Sequence, residues 1–449
     1  MAAGERQRGY TAVAGLGTTG LACVLELCRR GEAVAVVDSR GEPPRLAQLR
    51  AEAPEVPVVT GGLDRDLLLG ADRVVVSPGL DLRQGVLAEL RAAGWPPVVG
   101  ELTLFAESAA APICAVTGSN GKSTVVSLVG EMAQAAGQDI AIGGNLGTPA
   151  VELLAARPRD GYVLEVSSFQ LEACPGFQAD VAAVLNISAD HMDRYEDMEA
   201  YAAAKSRVLQ GAGQVVLNAD DRRTAALAEG GAGVRTFALG ETAAGYQLAS
   251  GEGGEWLLAD GVPRICVSEL PIPGRAYCAN ALAAMALADA WGVPVAVQQQ
   301  VLRRFTGLPH RMEIVGEWHG VQWINDSKAT NVGAAVAALK GLSRPVLLIA
   351  GGQGKGADFR PLGRACAEHV RAVVLLGEDA PAIEAAIAGR VPVVHAASMA
   401  EAVAHAASWA EPGDAVLLAP ACASFDAFQG FEHRGMAFRE AVREEMAHG

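Results

Sequence analysis

The sequence has no run approaching the ~18 uncharged apolar residues that a membrane-crossing helix needs. Its first residues, Met1 to Arg8, contain no apolar core of the kind a secretory leader carries. Cations are scarce relative to anions: 36 Lys and Arg face 51 Asp and Glu, a net charge of -15. That balance argues against nonspecific binding to nucleic acid and against anionic membrane surfaces. The eight cysteines include no CxxC pair, which fits buried reduced thiols better than a zinc site or a disulfide framework. A low-complexity tail and solenoid repeats are absent as well. What remains is a cytoplasmic globular protein without a nucleic-acid partner or membrane insertion. Any anionic substrate must be met by local basic groups.

What is present is an apolar chain with an α/β rhythm. At 449 residues, 51% apolar and 19% charged, it is too long for one ordinary core and suggests roughly three domains. Strands are expected at Thr11 to Gly15, Val34 to Asp38 and Arg73 to Ser77, alternating with helical stretches such as Leu21 to Arg30. This βαβ pattern predicts a doubly wound parallel sheet in residues 1–107. A second unit, 108–306, carries strands at Tyr162 to Val166, Val181 to Ile187 and Gln214 to Asn218, and closes with a helix-rich stretch from Asn280 to about Phe305. Thr306 to Pro309 reads as a linker. Strands at Val346 to Ala350, Ala372 to Leu376 and Ala415 to Ala419 then form a third unit, 307–449. The expected fold class is α/β: Rossmann-like first and third domains flank a central domain of the P-loop ATPase kind, with ligand sites in the crevices between them.

The most informative segment runs from Ala115 to Thr124, where an apolar strand meets a helix through Gly118-Ser119-Asn120-Gly121-Lys122-Ser123-Thr124. Backbone N–H groups of such a loop converge on phosphate oxygens. Lys122 adds a point charge toward the β- and γ-phosphates, and a following hydroxyl can hold Mg²⁺. ATP or GTP is the expected ligand. The usual pattern places Gly five residues before Gly121, yet Val116 stands there, so this is a shorter form of the loop.

A second glycine loop, Gly15-Leu16-Gly17-Thr18-Thr19-Gly20, matches G-x-G-x-x-G, and Asp38 ends the next strand where a ribose-binding carboxylate would sit. The motif alone reads as NAD. Its physics says less: the glycines let a diphosphate approach a helix N-terminus, or they serve only tight strand-to-helix packing. A dehydrogenase would have no use for the loop at Lys122.

Three segments further on offer metal and phosphate chemistry. Glu165 ends an apolar strand, on the side where nucleotide folds bind ligand, and is placed to share Mg²⁺ with Ser123. Asp190, His191 and Asp193 cluster after another strand; His191 either ligates a metal or contacts substrate, unless Asp190 simply caps a helix. Lys205 lies among alanines, where a solvated helix face is the default reading. The last unit adds loops at Leu308 to Arg311, Asn325 to Asn331, Gly351 to Lys355 and Ser424 to Asp426. Their cations and hydroxyls suit a small substrate with carboxylates.

Taken together, the short phosphate loop, LEVSSFQL at 164–171, DHMDRY at 190–195, NDSKATN at 325–331 and GGQGKGADF at 351–359 resemble the Mur ligase family over nearly the whole chain. Within it they are similar to the branch that adds D-glutamate. The Asp-Asn-Pro-Arg of the diaminopimelate-adding branch is absent. The resemblance implies an ATP-dependent amide ligase of peptidoglycan precursor synthesis that works through an acyl phosphate on UDP-N-acetylmuramoyl-L-alanine and D-glutamate, as a monomer. It implies that Gly15, Gly17, Thr19, Asp38, Ser39, Arg40, Asn145 and His191 bind the UDP precursor. The loop from Gly118 through Ser119, Asn120, Gly121, Lys122 and Ser123 to Thr124, with Asn280, Arg311 and Asp326, would bind ATP. Thr330, Lys355, Ser424, Phe425 and Phe431 would form the D-glutamate pocket. Two Mg²⁺ would be held by Ser123, Glu165, His191 and a carbamylated Lys205; Lys122, His191, Lys205 and Lys328 would be the catalytic set. The chain departs from the family twice. Where the family reads Gly-x-His-Asn-x-x-Asn, residues 274–280 keep only Gly274 and Asn280, with Tyr277 as a candidate stacking partner for the base. Gln353 replaces an aspartate near Lys355.

Overall fold

Three largely parallel sheets, with antiparallel strands at one edge of the second and third, organise the chain. The structure is a computed structural model that describes residues 9–155, 159–228, 233–240 and 245–448. Met1 to Arg8, the segment read above for a leader, lies outside them. The first sheet holds strands Thr11–Ala14, Val34–Asp38, Val58–Thr60, Arg73–Val76 and Val98–Gly100 (β1 to β5) in the order 3-2-1-4-5. Its strands read as unbroken apolar runs because helices cover both faces. The order reverses between β1 and β4, which opens a crevice at their carboxyl ends, where the loops at Gly15 and Ser77 lie.

The middle sheet comprises Ile113–Thr117, Ile140–Gly144, Gly161–Glu165, Val181–Val184, Gln214–Asn218, Val234–Ala238, Tyr246–Gly251, Gly254–Ala259 and Val262–Cys266 (β6 to β14). Its order is 14-13-12-11-10-9-6-8-7. The antiparallel meander β12 to β14 extends an otherwise parallel sheet and was not expected from the sequence. β6 is buried along its length between β9 and β8 in the interior of the sheet, so the phosphate loop leaves from a strand paired on both sides. The helix-rich stretch resolves into two helices, Arg275–Trp291 and Val295–Arg304; the first packs its apolar face on helix Lys122–Ala135.

The third sheet holds Glu313–Trp318, Val321–Asn325, Val346–Ala350, Val370–Leu375, Val393–His395 and Ala415–Leu418 (β15 to β20) in the order 15-16-20-17-18-19. The loops after β16, β17 and β20 are those that carry Asp326 to Asn331, Gly351 to Lys355 and Ser424, so one crossover brings three distant segments to one sheet edge. The eight cysteines are free thiols, all buried except the half-buried Cys28. Among the described residues no helix is long and apolar enough to cross a membrane.

Candidate active site

The helix that begins at Lys122 has no side-chain cap. Its first N–H groups are therefore free to receive an anion. Gly121 precedes it at φ 84°, and a Cβ there would come within 2.3 Å of Asn280 Oδ1, so glycine is required and Asn280 is pressed against the loop. Lys122 Nζ donates to the carbonyls of Gly118 and Ser119, both at 2.9 Å, and folds back over its own loop. Burial lowers its affinity for the proton, against the pull of Glu165 and Asp190.

Glu165 lies under this loop. It accepts from Ser123 Oγ and, at 2.7 Å, from Asn145 Nδ2. Burial disfavours its charge, but Lys122 and these two donors outweigh that and hold the carboxyl below its usual range. Ser123 Oγ also receives Arg311 Nη2 at 2.6 Å, a bond that crosses from the third unit to the second. A second crossing is made by Asn331, whose Nδ2 donates to Asn120 Oδ1 at 3.1 Å and Asp190 Oδ2 at 3.0 Å while its Oδ1 caps the helix Val332–Gly341. Asn331 was absent from the expected site, since nothing local marks its partners.

Lys205 is buried, donates to the Gly118 carbonyl at 2.9 Å and lies over the Tyr201 ring. Burial and the neighbouring Lys122 push its pKa well below that of an ordinary lysine. The solvated-face reading of this residue is thereby corrected: helix Met198–Ser206 turns it inward. His191 sits at φ 57°, its ring edge-on to Phe169 with centroids 4.7 Å apart, and burial lowers its pKa against the influence of Asp190. Asp190 caps no helix; it accepts the His191 backbone N–H at 2.9 Å.

Three cavities adjoin here. One, of about 450 Å³, is lined by Gly15, Gly17, Thr19, Asp38, Ser39, Arg40 and Asn145, and also by Ser77 to Leu80 and Gln170, which the sequence reading did not include. The second, about 410 Å³, shares Asn145 and gathers Ser119 to Lys122, Glu165, His191, Lys205, Arg311, Lys328, Thr330, Lys355, Ser424, Phe425 and Phe431. The third, about 130 Å³, shares Asn120, Gly121, Arg311 and Lys328 with the second and adds Thr124, Tyr277, Asn280 and Asp326. Tyr277 contributes to its wall, but one face of the ring is already stacked on Phe305. Only the remaining surface of Tyr277 is left for a base.

Asp38 makes contacts that its place in the motif did not announce. Its carboxylate accepts from the Leu16 N–H at 2.6 Å and from Arg40 Nη2 at 2.6 Å and Nε at 2.9 Å. Burial opposes its charge, yet these donors hold it at about 2. It braces the glycine loop as well as lining the cavity. In the third unit, burial raises Asp326 to about 6 against the attraction of Arg311. Burial and Arg311 lower Lys328 to about 8, with Nζ 3.6 Å over the Phe431 ring. A residue that the sequence did not flag, Arg434, is 2% exposed and binds Ser327 Oγ at 3.0 Å, the Ser327 carbonyl at 2.9 Å and the Cys422 carbonyl at 3.1 Å. It ties the loops after β16 and β20 into one floor.

Family models cover most of the chain: a MurD-like N-terminal domain of Mur ligases at residues 10–100, the Mur ligase middle domain at 116–288 and the Mur ligase glutamate ligase domain at 310–422. The chain belongs to the Mur ligase family. Among its relatives, a UDP-N-acetylmuramoylalanine--D-glutamate ligase of Methylococcus capsulatus is 51% identical over 437 residues, 97% of this chain and 95% of the relative. A protein of the same name from Nitrosococcus oceani is 49% identical over 435 residues, 96% of each chain. The Mur ligase fold is also seen in a UDP-N-acetylmuramate-alanine ligase of Thermotoga maritima, at TM-score 0.62 and 18% identity over 97% of this chain and 100% of that one. A pseudomurein peptide ligase type C of Methanothermus fervidus aligns with TM-score 0.61 and 18% identity, again over 97% and 100%.

Proposed function

We propose that this Mur ligase, acting as a monomer in the cytoplasm, joins D-glutamate to UDP-N-acetylmuramoyl-L-alanine at the expense of ATP, a step of peptidoglycan precursor synthesis. Its domains are 1–107 for the precursor, 108–306 for ATP and 307–449 for the amino acid. The observation that carries this reading is the chain of three adjoining cavities, with Asn145 between the first and second and Asn120, Gly121, Arg311 and Lys328 between the second and third. The first takes the UDP end of the precursor, the third takes the ATP base and ribose through Asn280 and Asp326, and the second receives the reacting groups. The names of relatives at about half identity support the same substrates.

The alanyl carboxylate attacks the γ-phosphorus, the bond to ADP breaks, and an acyl phosphate forms. Lys122, Arg311 and Lys328 surround this point with positive charge that matches the charge building on the transferring group. The neutral amine of D-glutamate, its carboxylates met by Lys355, Thr330 and Ser424 and its stem by Phe425 and Phe431, then attacks the acyl carbon. The amine loses a proton and phosphate leaves. The bonds Arg311 to Ser123 and Asn331 to Asn120 keep the third unit against the second, so that water is excluded while the acyl phosphate exists.

The oxygen donors Ser123 and Glu165 fit Mg²⁺. Lys205 supplies no oxygen as an amine, but its burial beside Lys122 favours the neutral form that adds CO₂ and becomes a carbamate. With His191 it would make a second site. Bound Mg²⁺ would neutralise phosphate charge and polarise the phosphorus. Phosphate release should require both the UDP precursor and D-glutamate; release that ignores D-glutamate, or that prefers another amino acid in a panel, overturns the assignment.

A further inference from the structure

Glu101 opens the helix Glu101–Ser108, which leads from the first unit into the second, and its side chain is 1% exposed. Its Oε1 accepts from Gln170 Nε2 at 2.5 Å, the Ala150 N–H faces the same carboxyl, and Oε2 has no partner among the described residues. Among the described residues no lysine or arginine neutralises it: burial dominates and raises its pKa to about 7. An ionisable group kept in such surroundings costs stability that an apolar residue would not.

One partner of Glu101 lines the 450 Å³ cavity and the other adjoins its wall. Gln170 lines it directly, and Ala150 directly follows Pro149, which lines it together with Gly147. Gln170 has little freedom. Its Oε1 accepts the Ser167 N–H and Oγ–H, both at 2.9 Å, as half of a capping box, which fixes the amide's orientation. With one Nε2 proton given to Glu101, the other is left for the cavity. We propose that Glu101 is a positioning residue for the precursor: through Gln170 and the turn at Ala150 it holds two walls of the UDP-precursor cavity in register and aims the Gln170 N–H at the bound substrate. This rests on the function proposed above, which assigns that cavity to the precursor.

The test uses the full chain in steady-state phosphate release, with precursor, ATP and D-glutamate each varied at saturating levels of the others, and direct binding of the UDP precursor alone. Replacing a hydrogen-bonded buried group is expected to cost about ten-fold in affinity. Glu101→Leu should raise the precursor KM and Kd by about that factor and leave kcat and the other two KM values within about two-fold. Gln170→Ala should do the same, and the double variant should be no worse than either single. Glu101→Gln, which keeps an acceptor for Gln170, should recover most of the affinity. A uniform loss of kcat, additive effects in the double variant, or an unchanged precursor KM in Glu101→Leu overturns the proposal. If Glu101→Leu does not fold, Gln170→Ala decides alone: a precursor KM like that of the unaltered chain overturns it. Failure of the unaltered chain to bind the UDP precursor would instead sink the parent assignment.

Discussion

Two glycine loops, Gly15 to Gly20 and Gly118 to Thr124, each join a buried parallel strand to an uncapped helix, yet their surroundings differ in kind. The first has no lysine. Its helix N-terminus is bare, and the nearest charge, Asp38, is spent on Arg40 and on the Leu16 amide. The second carries a half-buried Lys122 in the field of Glu165, with Lys205, Arg311 and Lys328 around the same cavity. On the proposed function, similar backbone geometry thus serves diphosphate binding in one place and stabilisation of a transferring phosphoryl group in the other. The difference lies in side chains brought from other strands.

Breaking the second loop should cost most. Lys122→Ala is expected to lower turnover about a thousand-fold while the binding of the UDP precursor, measured directly, stays within a few-fold. Loss of precursor binding in that variant would erase the distinction between the loops. Lys205→Ala should reduce turnover about a hundred-fold, with partial recovery on adding acetate or propionate, which replace the missing oxygens. Unchanged turnover would show that no carbamate is needed. At the first loop, Asp38→Ala should raise the precursor KM about ten-fold and leave kcat nearly unchanged, because it slackens a binding site only.

The smallest effect concerns pH. Lys328, with a folded pKa of about 8, is a cation below that value. kcat/KM should therefore fall as pH rises through about 8, and Lys328→Arg should move the fall to higher pH. Its contribution to stability runs the other way. The folded pKa lies below the ordinary 10.5, so the unfolded chain holds the proton more tightly, and stability from this residue rises between about pH 8 and 10.5. Parallel activity and stability profiles would contradict the assignment.

What the sequence made legible was local. Both glycine loops, the carboxylate that ends β8 and the α/β rhythm of all three units are patterns within a few residues, and the sheets carry the strands expected around them. Strand ends shift by one to three residues, as at Arg73–Val76 and Val181–Val184, because hydrogen bonding rather than apolar character ends a strand. Partners distant in sequence were not legible. Asn331 meets Asn120 and Asp190, Arg434 reaches Ser327 from 107 residues away, and Gln170 donates to Glu101. None of these carries a spacing signal. The meander after β11 was missed for a related reason: its strands are short and polar in part, with glycines at their ends. Lys205 shows the limit most clearly. Among alanines it reads as a surface lysine, and only the packing of its helix reveals a buried amine.

The account stands on transfer of the alanyl carboxylate's oxygen to phosphorus at Lys122. Precursor labelled with ¹⁸O in that carboxylate, turned over with ATP and D-glutamate, should release phosphate carrying one labelled oxygen per amide formed. Unlabelled phosphate alongside normal amide formation would contradict an acyl phosphate, and with it the role assigned to the second loop.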